Sequence, residues 1–240
     1  MSVKIRELEQ KQKELQERIC GISATLQRSN AEEFRAYIEL KAELASVEDA
    51  ITAQTNRVCY MKEQSNLGKR FASRTFDTFD ANGNRKAYED CKWYVAEGIH
   101  QPEKNGLILC GSYGTGKTHL AASIVNEVTD RGISALFNTY IGHLEALKRE
   151  FNSDDERTYL DKMYGVELLV LDDVGKERTS EWTESVMFDV INNRYENMRP
   201  ILITTNLNRK QLEDYFGGAV YSRLIEMCHM VVTQGKDHRR

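Results

Sequence analysis

The sequence predicts an α/β fold, a parallel sheet preceded by a helical arm, and three observations carry that expectation. Short apolar runs recur at residues 107–110, 135–137, 168–171, 201–203 and 230–232, with helical periodicity between them. Residues 111–118 read Gly-Ser-Tyr-Gly-Thr-Gly-Lys-Thr and fit the pattern G-x-x-x-x-G-K-[ST] without a mismatch. Residues 3–51 carry two heptad patterns, and no proline occurs before residue 102.

The second observation is the most specific. Glycines at 111, 114 and 116 let the backbone turn tightly and aim N–H groups at a phosphate, where a side chain would crowd it. Lys117 is spaced to reach the β- and γ-phosphates, and the Thr118 hydroxyl to bind Mg²⁺. An apolar run ahead and helical periodicity through Leu120, Ile124 and Val128 behind give the order strand, loop, helix. Gly111, Ser112, Tyr113, Gly114, Thr115, Gly116, Lys117, Thr118 and His119 therefore form the expected nucleotide-contact set.

Composition bounds the rest. The 240 residues are 40% hydrophobic, enough for a core, and the net charge of −4 argues against bulk binding of polyanions. Five scattered cysteines, at 20, 59, 91, 110 and 228, contain no C-x-x-C pair, which removes the zinc and thioredoxin-like signatures. With no signal-like or membrane-length apolar segment, a reducing cytoplasm is the expected setting.

In the arm, Ile5, Leu8, Leu15, Ile19, Ile22 and Leu26 occupy a and d positions, with Gln12 at one a position. Ser29-Asn30 precedes Glu32 and Glu33 as a cap, and Tyr37, Leu40, Leu44, Val47 and Ile51 continue the pattern. A helical hairpin is expected, an unbroken coiled coil being the competing geometry. The boundary is set at residue 65: an arm for partner docking or oligomerisation at 1–65, and a nucleotide-binding domain at 66–240.

Downstream, residues 66–68 open a linker leading to Phe76 and Phe79, and a helix is expected at 87–98. Helical stretches follow around Leu144 and Leu147 and at 159–164. The run 168–171 ends in Asp172-Asp173, a Walker B pattern. In a parallel sheet it brings Asp172 to the edge that holds the phosphate loop, to bind Mg²⁺, and leaves Asp173 to polarise an attacking water. A helix is expected at 182–195, and the next strand ends in Thr204-Thr205-Asn206, where Asn206 can orient that water. Residues 209–215 and 219–227 read as helices separated by Gly217-Gly218, and Ser222-Arg223-Leu224 lies in the second.

These motifs, in this order and spacing, resemble an AAA+ ATPase. Over about residues 67–240, Gly-Thr-Gly-Lys-Thr-His-Leu-Ala, Leu-Asp-Asp-Val-Gly-Lys-Glu, Ile-Asn-Asn-Arg-Tyr-Glu and Ile-Thr-Thr-Asn-Leu resemble bacterial replicative helicase loaders of the DnaC/DnaI type. The resemblance implies a five-stranded parallel sheet with ATP or ADP and Mg²⁺ at a junction between self-associated subunits, and Arg223 as an arginine finger acting on the neighbour. It also implies a hexameric replicative helicase as partner, held by the arm. It further implies single-stranded DNA bound by a segment here near 141–165, where Lys148, Arg149 and Tyr159 have suitable chemistry. Some relatives carry a cysteine-rich zinc module where this chain has its helical arm. Only residues 233–240 follow the final strand, so a full helical lid is not expected, and Arg239 would replace the lid's second sensor arginine. Asp173 stands where many AAA+ proteins have Glu, which implies slow, switch-like turnover. A transposition helper of the IstB type shares the same core and is the alternative reading. A nucleotide-gated interaction protein that barely hydrolyses is the other.

Overall fold

Strands β1 (Gly106–Gly111), β2 (Ala135–Thr139), β3 (Leu168–Val174), β4 (Ile201–Thr205) and β5 (Cys228–Thr233) form one parallel sheet in the order β2-β3-β4-β1-β5. The computed structural model describes residues 3–25, 31–151, 158–176 and 180–235. The strands read as unbroken apolar runs because both sheet faces are covered. Ile108, Leu136, Leu169, Leu171, Ile201 and Ile203 point to one face; Leu107, Leu109, Ala135, Phe137, Leu168, Val170 and Leu202 point to the other. Helices α6 (Tyr140–Phe151), α7 (Thr158–Gly165), α8 (Glu181–Glu196) and α9 (Arg209–Met227) cover the first face. Helices α4 (Arg85–Ala96) and α5 (Lys117–Asp130) cover the second.

The chain divides into two compact units, Met1–Met61 with Asp130–Gly132, and Lys62–Thr129 with Ile133–Arg240. In the first, α1 (Val3–Thr25) packs on α2 (Ala31–Gln64) through Leu15, Ile19, Leu40 and Val47, flanked by Leu8, Ile22, Tyr37, Leu44 and Ile51. These are the predicted a and d positions. Near the start of α1, Lys11 pairs with Glu43 at 2.8 Å and Gln12 donates to Glu48 at 3.2 Å, while toward its end Ile19, Cys20 and Ser23 share a groove with Tyr37 and Lys41, so the two helices run antiparallel as a hairpin. The expected Ser29-Asn30 cap and Leu26 lie outside the described residues. Helix α2 continues 13 residues past Ile51, because no glycine or proline interrupts residues 31–64. It ends where Ser65 Oγ donates to Lys62 O (2.7 Å) and Asn66 takes a left-handed conformation (φ 56°), a C-terminal cap.

One further segment departs from the sequence reading. A short helix α3 (Lys69–Ala72) and a 3-10 turn at Phe76–Thr78, closed by a reciprocal Thr75/Thr78 capping box, give the linker regular structure. The expected break at Gly217-Gly218 is present: Gly217 has non-helical backbone (φ 74°, ψ 154°) and separates two helical segments within α9.

Two buried polar groups fasten the first face. Arg194 on α8 is fully buried, and its guanidinium donates to the carbonyls of Met163 (2.7 Å), Tyr164 (3.3 Å), Val166 (3.0 Å), Glu167 (2.9 Å) and Pro200 (2.8 Å). It thereby ties the end of α7 to the starts of β3 and β4. His143 on α6 is also fully buried; its Nε2–H donates to Val170 O at 2.8 Å, and its Nδ1 accepts from the Tyr159 hydroxyl at 3.0 Å. Burial lowers its pKa from 6.5 to about 4, so the folded state favours the neutral ring. The resulting stability is fully present above about pH 6.5 and is lost as the pH falls toward 4. Urea unfolding at pH 7 and pH 5 should differ by about 2 kcal/mol from this residue alone. His143→Gln should remove that part of the pH dependence.

Candidate nucleotide site

The site forms at the carboxyl edge of the sheet, where parallel strands deliver their terminal residues together. Gly111, at the end of β1, has φ 150°, and a Cβ there would meet Thr233 O at 2.2 Å. Gly116 has φ 91°, and a Cβ there would meet the Phe79 ring at 2.6 Å. Both are positions where only glycine fits. Phe79 is thus placed beside the phosphate loop, stacked on Tyr88 and edge-on to His119. His119 Nε2–H donates to Thr75 O (3.1 Å) and lies 3.2 Å from Thr78 Oγ1; burial lowers its pKa.

At the first turn of α5, Lys117 Nζ donates to Gly111 O (2.8 Å), Ser112 O (2.7 Å) and Asn206 Oδ1 (2.7 Å). The lysine is buried, which lowers its pKa, while the charges of Asp173 and Asp172 oppose that shift. Beside it, Thr118 Oγ1 donates to Asp172 at 2.9 Å, and Thr204 Oγ1 donates to the same carboxylate oxygen at 2.6 Å. Burial raises the Asp172 pKa, and these two hydroxyls work against it. Gly111–Thr118, Asp172 and Asn206 are therefore joined in one hydrogen-bonded site.

Asp173 lies within a bulge in the β3–β4 pairing and takes a left-handed conformation, φ 64°. Its N–H donates to Thr204 Oγ1 at 2.8 Å and its carboxylate pairs with Lys176. Tyr113 is 62% exposed, with the Lys176 ammonium 5.6 Å from its ring centre. Arg223 is not joined to this site. It lies half-buried on α9, with its guanidinium 5.5 Å from the Phe188 ring, 5.7 Å from the Tyr195 ring, and donating to Ala219 O at 2.9 Å. Arg239 lies outside the described residues. Of the residues with DNA-like chemistry, Lys148 sits 5.3 Å from the Trp182 ring centre and Arg149 Nε donates to Glu145 O. Tyr159 turns its hydroxyl inward to His143 and Asn138.

Sequence reasoning missed a clamp on the loop's far side. Thr233, the last residue of β5, bonds Thr115 Oγ1 at 2.7 Å, and Asn84 joins Thr115 O (3.3 Å) to Gln234 N (2.7 Å). The signal available was positional: a hydroxyl ending a strand in a parallel sheet shares the edge with every other strand end. No described helix is long and apolar enough to cross a membrane.

The family model for the IstB-like ATP binding protein matches residues 10–240. The chain belongs to that family. Its core is an AAA+ domain of the DnaC/DnaI type. The replicative helicase loader DnaC of Escherichia coli (strain K12) is 27% identical over 189 residues, which cover 76% of each chain. The phage-like element PBSX protein XkdC of Bacillus subtilis (strain 168) is 30% identical, covering 71% of this chain and 68% of that one. The uncharacterized protein YqaM of the same organism is 28% identical over 75% of this chain, which spans 61% of that protein's length. A crystal structure of the DnaC helicase loader superposes with a TM-score of 0.63 at 28% identity, over 70% of this chain and all of that one. One of DnaI gives 0.60 at 27% identity, over 72% and 95%.

Thr233→Val removes the hydroxyl that meets Thr115 and keeps the side-chain volume. ATP affinity should fall about three- to tenfold, the scale of one buried hydrogen bond, and the melting temperature should fall by a few degrees; titration with a fluorescent ATP analogue and a thermal melt check this.

Proposed function

We propose that this IstB-like protein is an ATP-hydrolysing switch that assembles on single-stranded DNA and delivers a hexameric replicative helicase to it. The observation that carries the reading is the bracket of Thr118, Asp172 and Thr204 beside the Lys117–Asn206 contact. Likeness to DnaC over three quarters of both chains supports the choice of partner.

The donor set fits ATP and Mg²⁺: an ammonium held among backbone carbonyls, a glycine-rich loop, and a hydroxyl against a charged carboxylate. Lys117 would bind the β- and γ-phosphates, and Thr118 and Asp172 would hold the Mg²⁺. When bound, the cation neutralises phosphate charge. Asp173 would accept a proton from the attacking water and Asn206 would orient that water. Arg223 makes its contacts on α8 and α9, which suits a finger supplied to a neighbouring subunit, so self-association would complete the site. The arm, residues 1–65, would dock the helicase, and Lys148 and Arg149 would meet DNA phosphates while Tyr159 packs inward. Arg239 would serve as the second sensor, and the cytoplasm would be the working compartment.

The family's IstB-like description favours one second reading, a transposition helper that engages a transposase and duplex DNA. Complex mass with the source organism's replicative helicase and ATP separates the two. The full chain should form a complex, and a truncated chain starting at Lys62 should not. No complex with either chain would favour the transposition helper.

Arg223→Ala should bind ATP with unchanged affinity and lose about 10³-fold or more in turnover. Mixing it with Asp173→Asn should restore part of the activity, because a junction in which an Arg223→Ala subunit holds the nucleotide and an Asp173→Asn subunit supplies the finger has both the acid and the arginine intact. Steady-state phosphate release measures this, and no recovery would place the arginine's action within one subunit.

A further inference from the structure

We infer that Lys176 is a positioning residue that holds the Asp173 carboxylate in a resting arrangement, so that the isolated chain hydrolyses slowly until assembly releases the acid. The inference rests on the water-activating role proposed for Asp173.

The turn that sets this up is fixed at every residue. Asp173 has φ 64°, and its N–H is held by Thr204 Oγ1 at 2.8 Å. Val174 O accepts from Thr205 Oγ1 at 2.8 Å. Gly175 has φ 97°, and a Cβ there would meet Leu207 at 2.6 Å. With the backbone pinned to the end of β4, the side chains of residues 173 and 176 are directed toward each other. The Lys176 ammonium pairs with Asp173 Oδ2 and also lies 5.6 Å from the centre of the Tyr113 ring on the phosphate loop. One ammonium thus links the acid expected to activate water to an exposed aromatic of the loop expected to hold the phosphates.

The chemistry of that link is inhibitory. The ammonium occupies Asp173 Oδ2, so a water can donate to that oxygen only by displacing it. The pair is also weak. The two side chains are 42% and 32% exposed, and ion pairs of that exposure are screened by salt and easily opened. A cation over an exposed ring adds a similarly small increment. A latch of this strength suits a switch: it restrains the resting chain, and contacts made on assembly can open it.

The test uses the full chain in three forms: wild type, Lys176→Met and Lys176→Arg. ATP affinity is measured by titration, and turnover by phosphate release for the isolated chain and for the chain saturated with single-stranded DNA. Lys176→Met should bind ATP within about twofold of wild type and raise turnover of the isolated chain about three- to tenfold, as expected for loss of a half-exposed ion pair and a cation–π contact. Lys176→Arg should behave as wild type. Added salt should raise turnover of the isolated wild type and leave Lys176→Met unchanged, a readout that a merely structural role would not move. Unchanged or lowered turnover in Lys176→Met, with wild type active when assembled, would overturn the latch alone. A wild type that binds ATP yet never hydrolyses it would overturn the role of Asp173 and the latch with it.

Discussion

The carboxylate of Asp172 is the point on which the carboxyl edge of the sheet depends. It is buried, and a buried charge is tolerated only when its lone pairs are engaged. Thr118 brings the first turn of α5 to it, and Thr204 brings the end of β4. Each charge-assisted hydrogen bond of this kind contributes about 1.5–3 kcal/mol. Thr204 uses the same hydroxyl to receive the N–H of Asp173, so the turn after β3 is positioned by the group that satisfies the acid before it. Two carboxylates, Asp172 and Asp173, are interleaved with two ammonium groups, Lys117 and Lys176, and Lys117 keeps its place chiefly through carbonyl oxygens rather than a counter-charge.

The bulge in the β3–β4 pairing is what takes the second of the two neighbouring acids out of the sheet, whose faces are both covered. In a regular strand, Asp172 and Asp173 would point to opposite faces of the sheet. The register shift between Leu171 and Val174, with Asp173 in a left-handed conformation, ends the regular ladder. One acid remains inside with the hydroxyls, while the other is half-exposed against a lysine. Two identical side chains adjacent in sequence thereby acquire different environments.

Much of this was legible because it is written locally. The a and d residues of the arm, the glycine spacing of residues 111–116 and the acids at 172 and 173 each carry their meaning within a few positions. The strand order was not legible in the runs themselves, since an apolar run covered on both faces reads the same at the centre and the edge of a sheet. The extent of α2 past Ile51 escaped because Gln54 interrupts the heptad, although Val58 and Met61 resume its spacing. Thr233 and Asn84 escaped because they act across about 120 and 30 residues of sequence, and single polar residues at strand and helix ends are common. Arg223 was marked by its motif, whereas its seat on Phe188 and Tyr195 depends on how α8 meets α9.

Arg194 was also inside a recognisable motif, yet nothing in its neighbours' side chains announces what it does. All five of its acceptors are main-chain carbonyls. A guanidinium compensated by dipoles of the backbone makes no demand on the chemistry of residues 163, 164, 166 and 167. Those positions are therefore free to drift in sequence without loosening the joint, provided the chain there keeps its path. A lysine could not inherit the post, because a single ammonium has three donors and cannot span the fork that reaches from the end of one helix to the starts of two strands. The joint is thus conservative at one residue and silent at its partners, and covariation between side chains would not reveal it.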